Sequence, residues 1–363
     1  MVEIIRIGVD TSKHVFTLHG VDAGGHAVLR RNLSRGQFET FFAKLAPTDV
    51  ALEACGASHH WGRQLQGMGH RVRLIPPAYV KPYVKRNKND AADAAAICEA
   101  ASRPGMRVVA VKSAAQQASQ MVQRVRELLV KQRTQLANAV RGHAAEFGLV
   151  SPKGLARVET LLAMIAAVPP EPEPSAPAAG QPAQEGGGGP AAARLPQQAR
   201  EMFALLGEAI AEVDRRIAEV EAKLLALHKA SPVSRALAEV PGIGPITAIS
   251  LMLGAPASQF SSGRDMAAWI GLTPRDHSSG GKQRLGGISR AGNSRLRQLL
   301  VLGATAVIAQ ASKPGRSASP WLKQLLARKP RKLAAVALAN KMARIAWAMM
   351  TRGEAFRRQP KAA

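Results

Sequence analysis

Cysteine is nearly missing from this chain of 363 residues, with Cys55 and Cys98 the only two. Two distant thiols give neither a disulfide framework nor a metal-ligand spacing, and they fit a reducing cytoplasm. Aromatic residues make up 4 %, which argues against the stacking platforms of single-strand-binding proteins. Acids are scarce relative to bases, 25 Asp and Glu against 50 Lys and Arg. A formal charge of +25 excludes an ordinary neutral surface and points to a polyanion, nucleic acid before membrane. No apolar run reads as long and uncharged enough to span a bilayer. The opening Met-Val-Glu-Ile-Ile-Arg lacks a signal-peptide pattern, so the expected location is cytoplasmic, with no membrane partner.

The basic charge is uneven. Residues 1–60 are balanced, 61–160 are basic, 161–230 slightly acidic, and 231–363 carry the largest excess. Within the second region, Lys85-Arg-Asn-Lys-Asn-Asp-Ala-Ala-Asp-Ala-Ala-Ala-Ile97 holds two acids, Asp90 and Asp93, three residues apart. The alanine-rich run after them favours helix, and Asn89 or Asp90 is placed to cap it. Three-residue spacing puts both carboxylates on one helical face. A divalent cation with hard oxygen ligands, Mg²⁺ or Mn²⁺, relieves the repulsion between them. In the plainer alternative, one Asp caps the helix and the other is solvated.

Upstream, residues 4–12, Val15–Val21 and His26–Leu33 read as strands, the last two joined by an Asp-Ala-Gly-Gly turn. Gly36–Ala46 is helical by its Phe38, Phe41, Phe42 and Leu45 spacing. Asp49–Cys55 is a strand, Ser58 starts a helix, and Arg71–Ile75 is a fifth strand stopped by Pro76-Pro77. The order βββαβαβ followed by the acidic helix is that of a ribonuclease H-like fold. Asp10 lies in the first strand and Glu53 near the end of the fourth. Brought together with Asp90 and Asp93, they would suffice to hold two cations for phosphoryl transfer.

Gly8-Val-Asp-Thr-Ser-Lys13, Leu52-Glu-Ala-Cys-Gly56 and Lys88-Asn-Asp-Ala-Ala-Asp-Ala-Ala-Ala-Ile97 resemble the RuvC-type domain of DEDD transposases. These belong to the insertion-sequence family 110/1111, related to the Piv-type DNA invertases. The resemblance implies that Asp10, Glu53, Asp90 and Asp93 are a catalytic tetrad binding Mg²⁺. Lys85, Arg86 and Lys88 then stand as candidate phosphate contacts beside it.

Ser113 to about Phe147 reads as one long helix with a Met121, Val125, Leu128, Leu129, Leu136, Val140 stripe for a partner helix. Arg124, Arg126, Lys131 and Arg133 on its outer faces are candidate nucleic-acid contacts, a solvated face being the alternative. Leu155–Val168 adds an apolar helix. Pro169–Pro196 is rich in Pro and Gly and reads as a flexible linker. Gln197–Ala230 carries Phe203, Leu206, Ile210, Val213, Ile217, Val220, Leu224 and Leu227, a coiled-coil-like seam and a candidate oligomerisation element.

In the last third, Val240-Pro-Gly-Ile-Gly-Pro-Ile-Thr247 resembles a helix-hairpin-helix turn, with Gly242 and Gly244 offering backbone N–H groups to a phosphate. A simple helix–helix turn is the alternative. Met266–Gly271 reads as helix. Leu272–Arg297 then combines glycines, hydroxyls and bases, and an exposed Ser among Lys282, Arg284 and Arg290 suits a phosphoryl acceptor. Composition does not choose among Ser278, Ser279, Ser289 and Ser294. Gly271-Leu-Thr-Pro274, Ser279-Gly280, Ser289-Arg-Ala-Gly-Asn293 and Leu296-Arg297 resemble the second domain of the same transposases, which implies Ser279 as nucleophile and Ser289 in reserve. Ser289 as an N-cap of the next helix is the alternative. Arg295 and Arg297 join the candidate nucleic-acid contacts. Leu296 to Met350 reads as helical throughout.

The chain therefore divides into a RuvC/ribonuclease H-like α/β domain (1–112), a helical region (113–168), the linker (169–196), a coiled-coil-like helix (197–230) and a mainly α transposase domain (231–363). The resemblance implies a Mg²⁺-dependent DNA transposase that acts on donor and target DNA. It further implies a non-coding bridge RNA and a homo-oligomer, dimer or tetramer. Rival readings are a RuvC-like nuclease using metal-activated water and a non-catalytic helix-hairpin-helix DNA-binding protein. The only tyrosines, Tyr79 and Tyr83, lack the Arg/His cluster that a tyrosine recombinase needs.

Overall fold

The computed structural model describes residues 3–85, 89–167, 195–313 and 319–356. Arg86, Lys88 and nearly all of the 169–196 linker lie outside the described residues. The chain forms two compact units, Met1–Ala118 with Ala255–Trp269, and Ser119–Gly254 with Ile270–Ala363.

The first unit is built on a five-stranded sheet. Its elements run β1 (Arg6–Thr11), β2 (Val15–Val21), β3 (Ala27–Ser34), α1 (Arg35–Lys44), β4 (Asp49–Glu53), α2 (Ser58–Gly67), β5 (Arg71–Ile75), the short α3 (Pro77–Val80) and α4 (Asp90–Ser102). The strand order is β3-β2-β1-β4-β5. β1 pairs antiparallel with β2 and parallel with β4, as the ribonuclease H-like expectation requires. Residues alternate across a strand, and here the two faces have different tasks. Ile7, Val9, Phe16, Leu18, Val50 and Leu52 face Phe38, Phe42, Trp61 and Leu65 of α1 and α2. The Phe16 ring meets Phe38 and Trp61 edge-on at 4.7 and 4.9 Å. On the opposite face, Ala51 and Ile75 pack with Ile97, Ala100 and Ala101 of α4.

Local signals set the element ends. Ser34 and Gln37 form a capping box at α1. Asn89 caps α4, its side chain accepting the Ala92 N–H at 2.8 Å. Tyr83 packs beside α4's apolar cluster with the Arg103 guanidinium 5.6 Å over its ring.

The second unit is mostly helical. α5 (Ala114–Glu146), α6 (Leu155–Ala167) and α7 (Gln197–Ala230) share a core of Ala137, Val140, Ala144, Val158, Leu161, Ile165, Phe203 and Ile210. The buried positions of α7 are Phe203, Ile210, Ile217 and Leu224, a strict seven-residue repeat. Arg126 pairs with Glu221 and Arg133 with Asp214, at 2.5 and 2.6 Å. One partner advances by seven as the other retreats by seven, so α5 and α7 run antiparallel in heptad register. The seam predicted for oligomerisation is thus occupied within the chain.

α8 (Pro232–Leu237) and α9 (Pro245–Gly254) flank the Val240–Gly244 turn, and α10 (Gly263–Trp269) belongs to the first unit, where Asp265 pairs with Arg107 at 2.8 Å. The helix expected at Met266–Gly271 begins and ends earlier. Next come two short strands that the sequence does not announce, β6 (Pro274–Asp276) and β7 (Leu285–Ile288), paired antiparallel. The single helix expected from Leu296 to Met350 is three: α11 (Ser294–Ala311), α12 (Pro320–Arg328) and α13 (Arg331–Arg352). Pro320 and Pro330 explain the breaks, because proline starts a helix readily but cannot continue one. α13 corrects a second expectation, since by length and composition it is apolar enough to cross a bilayer. Its Ala335, Ala339, Met342 and Ala346 are buried, and it packs along α11.

Candidate active site and nucleic-acid surface

Strand alternation places Gly8, Asp10, Ala51 and Glu53 on the α4 face of the sheet, and the β1–β4 register sets Val9 beside Leu52. α4 is held hard against β1 at Gly8: a Cβ there would stand 2.5 Å from the Cys98 backbone nitrogen and nearer still to the Ala94 carbonyl oxygen. From Ala94 back to Asp90 is about 6 Å of helix rise. From Gly8 on to Asp10 is about 6.6 Å of strand. The two steps match, which brings the first turn of α4, Asp90 and Asp93, over Asp10.

The electrostatics agree. Burial raises the Asp10 carboxyl above its ordinary range, and the charges of Asp93, Asp90 and Glu53 raise it further, against a backbone hydrogen bond from Thr11. None of these leading influences is a Lys or Arg. Acids from three separate stretches of the sequence therefore share one electrostatic neighbourhood. Among the described residues, no three His, Cys, Asp or Glu side chains are drawn tightly enough together to form a metal-ligand group. Carboxylate oxygens are hard donors, and these residue types suit a divalent cation such as Mg²⁺. Cys98, under the same helix, is buried and its thiol is pushed up by desolvation. Cys55 is exposed and its Sγ lies 3.6 Å from the Thr11 hydroxyl.

The candidate serines sit on the β6–β7 hairpin. Ser279 and Lys282 bridge, with the Lys282 N–H donating to the Ser279 carbonyl at 3.1 Å. Gly280 and Gly281 have φ of 56° and 75°. Positive φ at both central positions is a type I′ turn, which glycine adopts without strain. Ser278 is engaged: its hydroxyl and its N–H both donate to the Asp276 carboxylate, and the hydroxyl accepts the Arg284 N–H at 3.0 Å. Those bonds hold the Asp276 carboxyl below its usual range. The Ser279 hydroxyl is exposed and makes no hydrogen bond among the described residues. Ser289 is partly buried at the base of the hairpin. It does not cap α11, a role taken by Asn293, whose side chain accepts from Arg295 and Leu296.

Several predicted nucleic-acid contacts have partners inside the second unit. Arg126 and Arg133 are in the α5–α7 ion pairs. Arg295 lies 3.7 Å from Glu127 and bonds Gln298, and burial lowers its pKa, with the Arg126 charge adding to the effect. Arg297 donates to the Ile270 and Ala291 carbonyls, both at 2.7 Å, clamping the Gly271 turn to the loop before α11. Gly271, at φ 81°, has no room for a Cβ beside Ala291. Gly242, at φ 90°, packs its backbone on Gly303 of α11, while Gly244 faces open space. Arg124, Lys131, Lys282, Arg284 and Arg290 are exposed, as is Lys85 in the first unit.

Gly8 and Asp276 shape the surroundings of the candidate residues, and the sequence reading gives neither a role of its own. A glycine inside a strand does signal close backbone approach, and period-two alternation puts Gly8 on the same face as Asp10. Nothing local marks Asp276 as the acid that locks Ser278.

A model described as the transposase IS116/IS110/IS902 family matches residues 234–319, and a transposase model for DEDD enzymes of IS110 type matches residues 7–147. The chain is 53 % identical over 358 residues to the putative transposase y4pF/y4sB of Sinorhizobium fredii, spanning 98 % of this chain and 86 % of the relative. It is 46 % identical over 354 residues to a probable family 20 transposase of Pseudomonas aeruginosa, spanning 97 % and 98 %. The transposase for insertion sequence element IS1111A of Coxiella burnetii is 39 % identical over 358 residues, spanning 98 % and 92 %.

Proposed function

This chain belongs to the IS116/IS110/IS902 family of transposases, and we propose that it cleaves and exchanges DNA strands using an acidic tetrad, Asp10, Glu53, Asp90 and Asp93, and a serine nucleophile, Ser279. The observation that carries the reading is the close seat of α4 on β1 at Gly8, which draws the helix start toward Asp10; the Asp10 carboxyl, raised by burial and then by the three other acids, agrees with it. A bound Mg²⁺, with Mn²⁺ as substitute, would spread the charge of the scissile phosphate and favour ionisation of the attacking hydroxyl. Asp10, Glu53, Asp90 and Asp93 are the residues that would supply its oxygen ligands.

Ser279 is favoured over Ser278 because its hydroxyl is unengaged and exposed. Its Oγ forms a bond to phosphorus as the bond from phosphorus to the leaving deoxyribose oxygen breaks. The serine proton passes to solvent, and the leaving oxygen takes one up. Lys282 and Arg284, on the same hairpin, suit the phosphate's charge. Ser289 stays in reserve. Arg124 and Lys131 on α5 offer a basic surface to nucleic-acid backbone, and guidance by a bridge RNA and assembly as a dimer or tetramer are what the family resemblance adds.

The test is strand cleavage of insertion-sequence DNA, with covalent protein–DNA product read on denaturing gels. Asp10→Asn should abolish cutting, and Ser279→Ala should abolish the covalent product while DNA binding persists. Continued cutting by Ser279→Ala without any covalent product would instead identify a nuclease using activated water. An unchanged covalent product in that variant would move the nucleophile to Ser289.

A further inference from the structure

On the α4 face of the sheet, the strand register lines up two rows of side chains leading away from β1. One row is Asp10, Thr17, Asn32 and the other is Gly8, His19, Arg30. α4 covers β1 but stops short of the sheet edge, and the side chains it turns that way are Ala91, Ala92 and Ala95. Three methyl groups opposite a polar floor leave an open groove of about 450 Å³. That is room for a nucleotide-sized group, within the range of ordinary ligand sites.

The groove's chemistry is one-sided. Arg30 is exposed at its rim on the edge strand β3, Arg31 turns to the other face over the Phe41 ring, and Thr17 and Asn32 bring a hydroxyl and an amide to its floor. His19 is partly buried; burial, the Arg30 charge and the Lys85 charge all press it toward the neutral imidazole, so the local field is positive. The rows begin at Asp10 and Gly8, so this positive, hydrogen-bonding floor is continuous with the acidic centre. A chain of phosphates held here would be led directly to the carboxylates.

We propose that the groove between α4 and the β2–β3 edge binds the phosphodiester backbone of a single DNA strand next to the phosphate that is cut. The proposal rests on the tetrad being the cleavage centre. Arg30 contacts a phosphate, Thr17 and Asn32 hold its neighbouring sugar–phosphate oxygens, and the small residues of α4 admit the strand. No base is specified by this floor, so binding is independent of sequence.

The experiment uses the full chain and a short fluorescent single-stranded DNA, with an RNA of the same sequence as the second probe. Anisotropy titrations over a range of salt are made for Arg30→Ala and for Ala95→Met, the second of which fills the groove without touching charge. Arg30→Ala should weaken DNA binding about tenfold and lower the slope of log affinity against log salt by about 0.7, one phosphate contact on a single strand. Ala95→Met should weaken binding at an unchanged slope. Wild-type affinity in both variants overturns the proposal, and so does a loss confined to RNA. Asp10→Asn, measured alongside for cutting, separates the two readings. If it still cuts while the groove variants lose binding, the tetrad reading fails and the groove remains; if it is inactive while they bind normally, the groove alone fails.

Discussion

Gly8 of β1 lies directly beneath Ala94 of α4, so close that the Ala94 carbonyl oxygen occupies the space a side chain at position 8 would need. The Cys98 backbone nitrogen would be 2.5 Å from the same Cβ. Both obstacles are backbone, which cannot swing aside as a side-chain tip can. The contact sets the height of α4 above the sheet and with it the position of Asp90 and Asp93 over Asp10.

Gly8→Ala should therefore destabilise the first unit by about 1–3 kcal/mol, the usual cost of overpacking, and should also lower cleavage in whatever fraction remains folded. Thermal melts and specific activity per folded molecule check it. Gly36, whose added Cβ would meet nothing within 4 Å, is the matched control, and Gly36→Ala should leave both near the wild-type values.

Asp10→Asn should behave in the opposite way on stability. The Asp10 carboxyl is raised above its ordinary value of 3.8 in the folded protein. A raised acid holds its proton more firmly when folded, so stability is fullest below the ordinary value and declines as pH rises through the folded one. The amide that replaces the carboxylate carries no charge to repel the other three acids. The variant should melt higher than wild type at neutral pH, and the gap should close as pH falls toward 3.8. Mg²⁺ should narrow the neutral-pH gap by stabilising wild type more than the variant. Cutting should fall below detection, in the presence of Mg²⁺ as in its absence.

The hairpin serines should separate cleanly. Ser279→Ala removes an unengaged, exposed hydroxyl and should leave the melting temperature unchanged while removing the covalent product. Ser278→Ala removes the hydroxyl that links Asp276 to the Arg284 N–H. It should loosen the tip, raise its amide hydrogen exchange, and reduce the covalent product without eliminating it.

The bases of α5 should divide by partner. Arg133→Ala should lower stability, and a double-mutant cycle with Asp214→Ala should return a coupling of up to about 1 kcal/mol for so partly exposed a pair. Its effect on the salt dependence of duplex binding should be small. Arg124→Ala and Lys131→Ala should leave stability intact and each lower that salt slope by about 0.9.

The sequence by itself determined the sheet and the long helices. Their signals are local and periodic: alternation with a Gly-Gly turn for β1–β3, Asn89 ahead of an alanine run for α4, and a seven-residue repeat from Phe203 to Leu224. The break-up of the last helical stretch was also written there in Pro320 and Pro330, although the apolar pattern running across them obscures it. Only the tertiary structure decided which arginines are spent on Glu221, Asp214 and backbone carbonyls, that Leu-Gly-Gly-Ile forms a strand, and that Gly8, Thr17, His19, Arg30 and Asn32 surround the acidic helix. Those outcomes depend on which backbone approaches which, and a side chain's charge or size does not encode its partner until packing and strand register bring distant segments together.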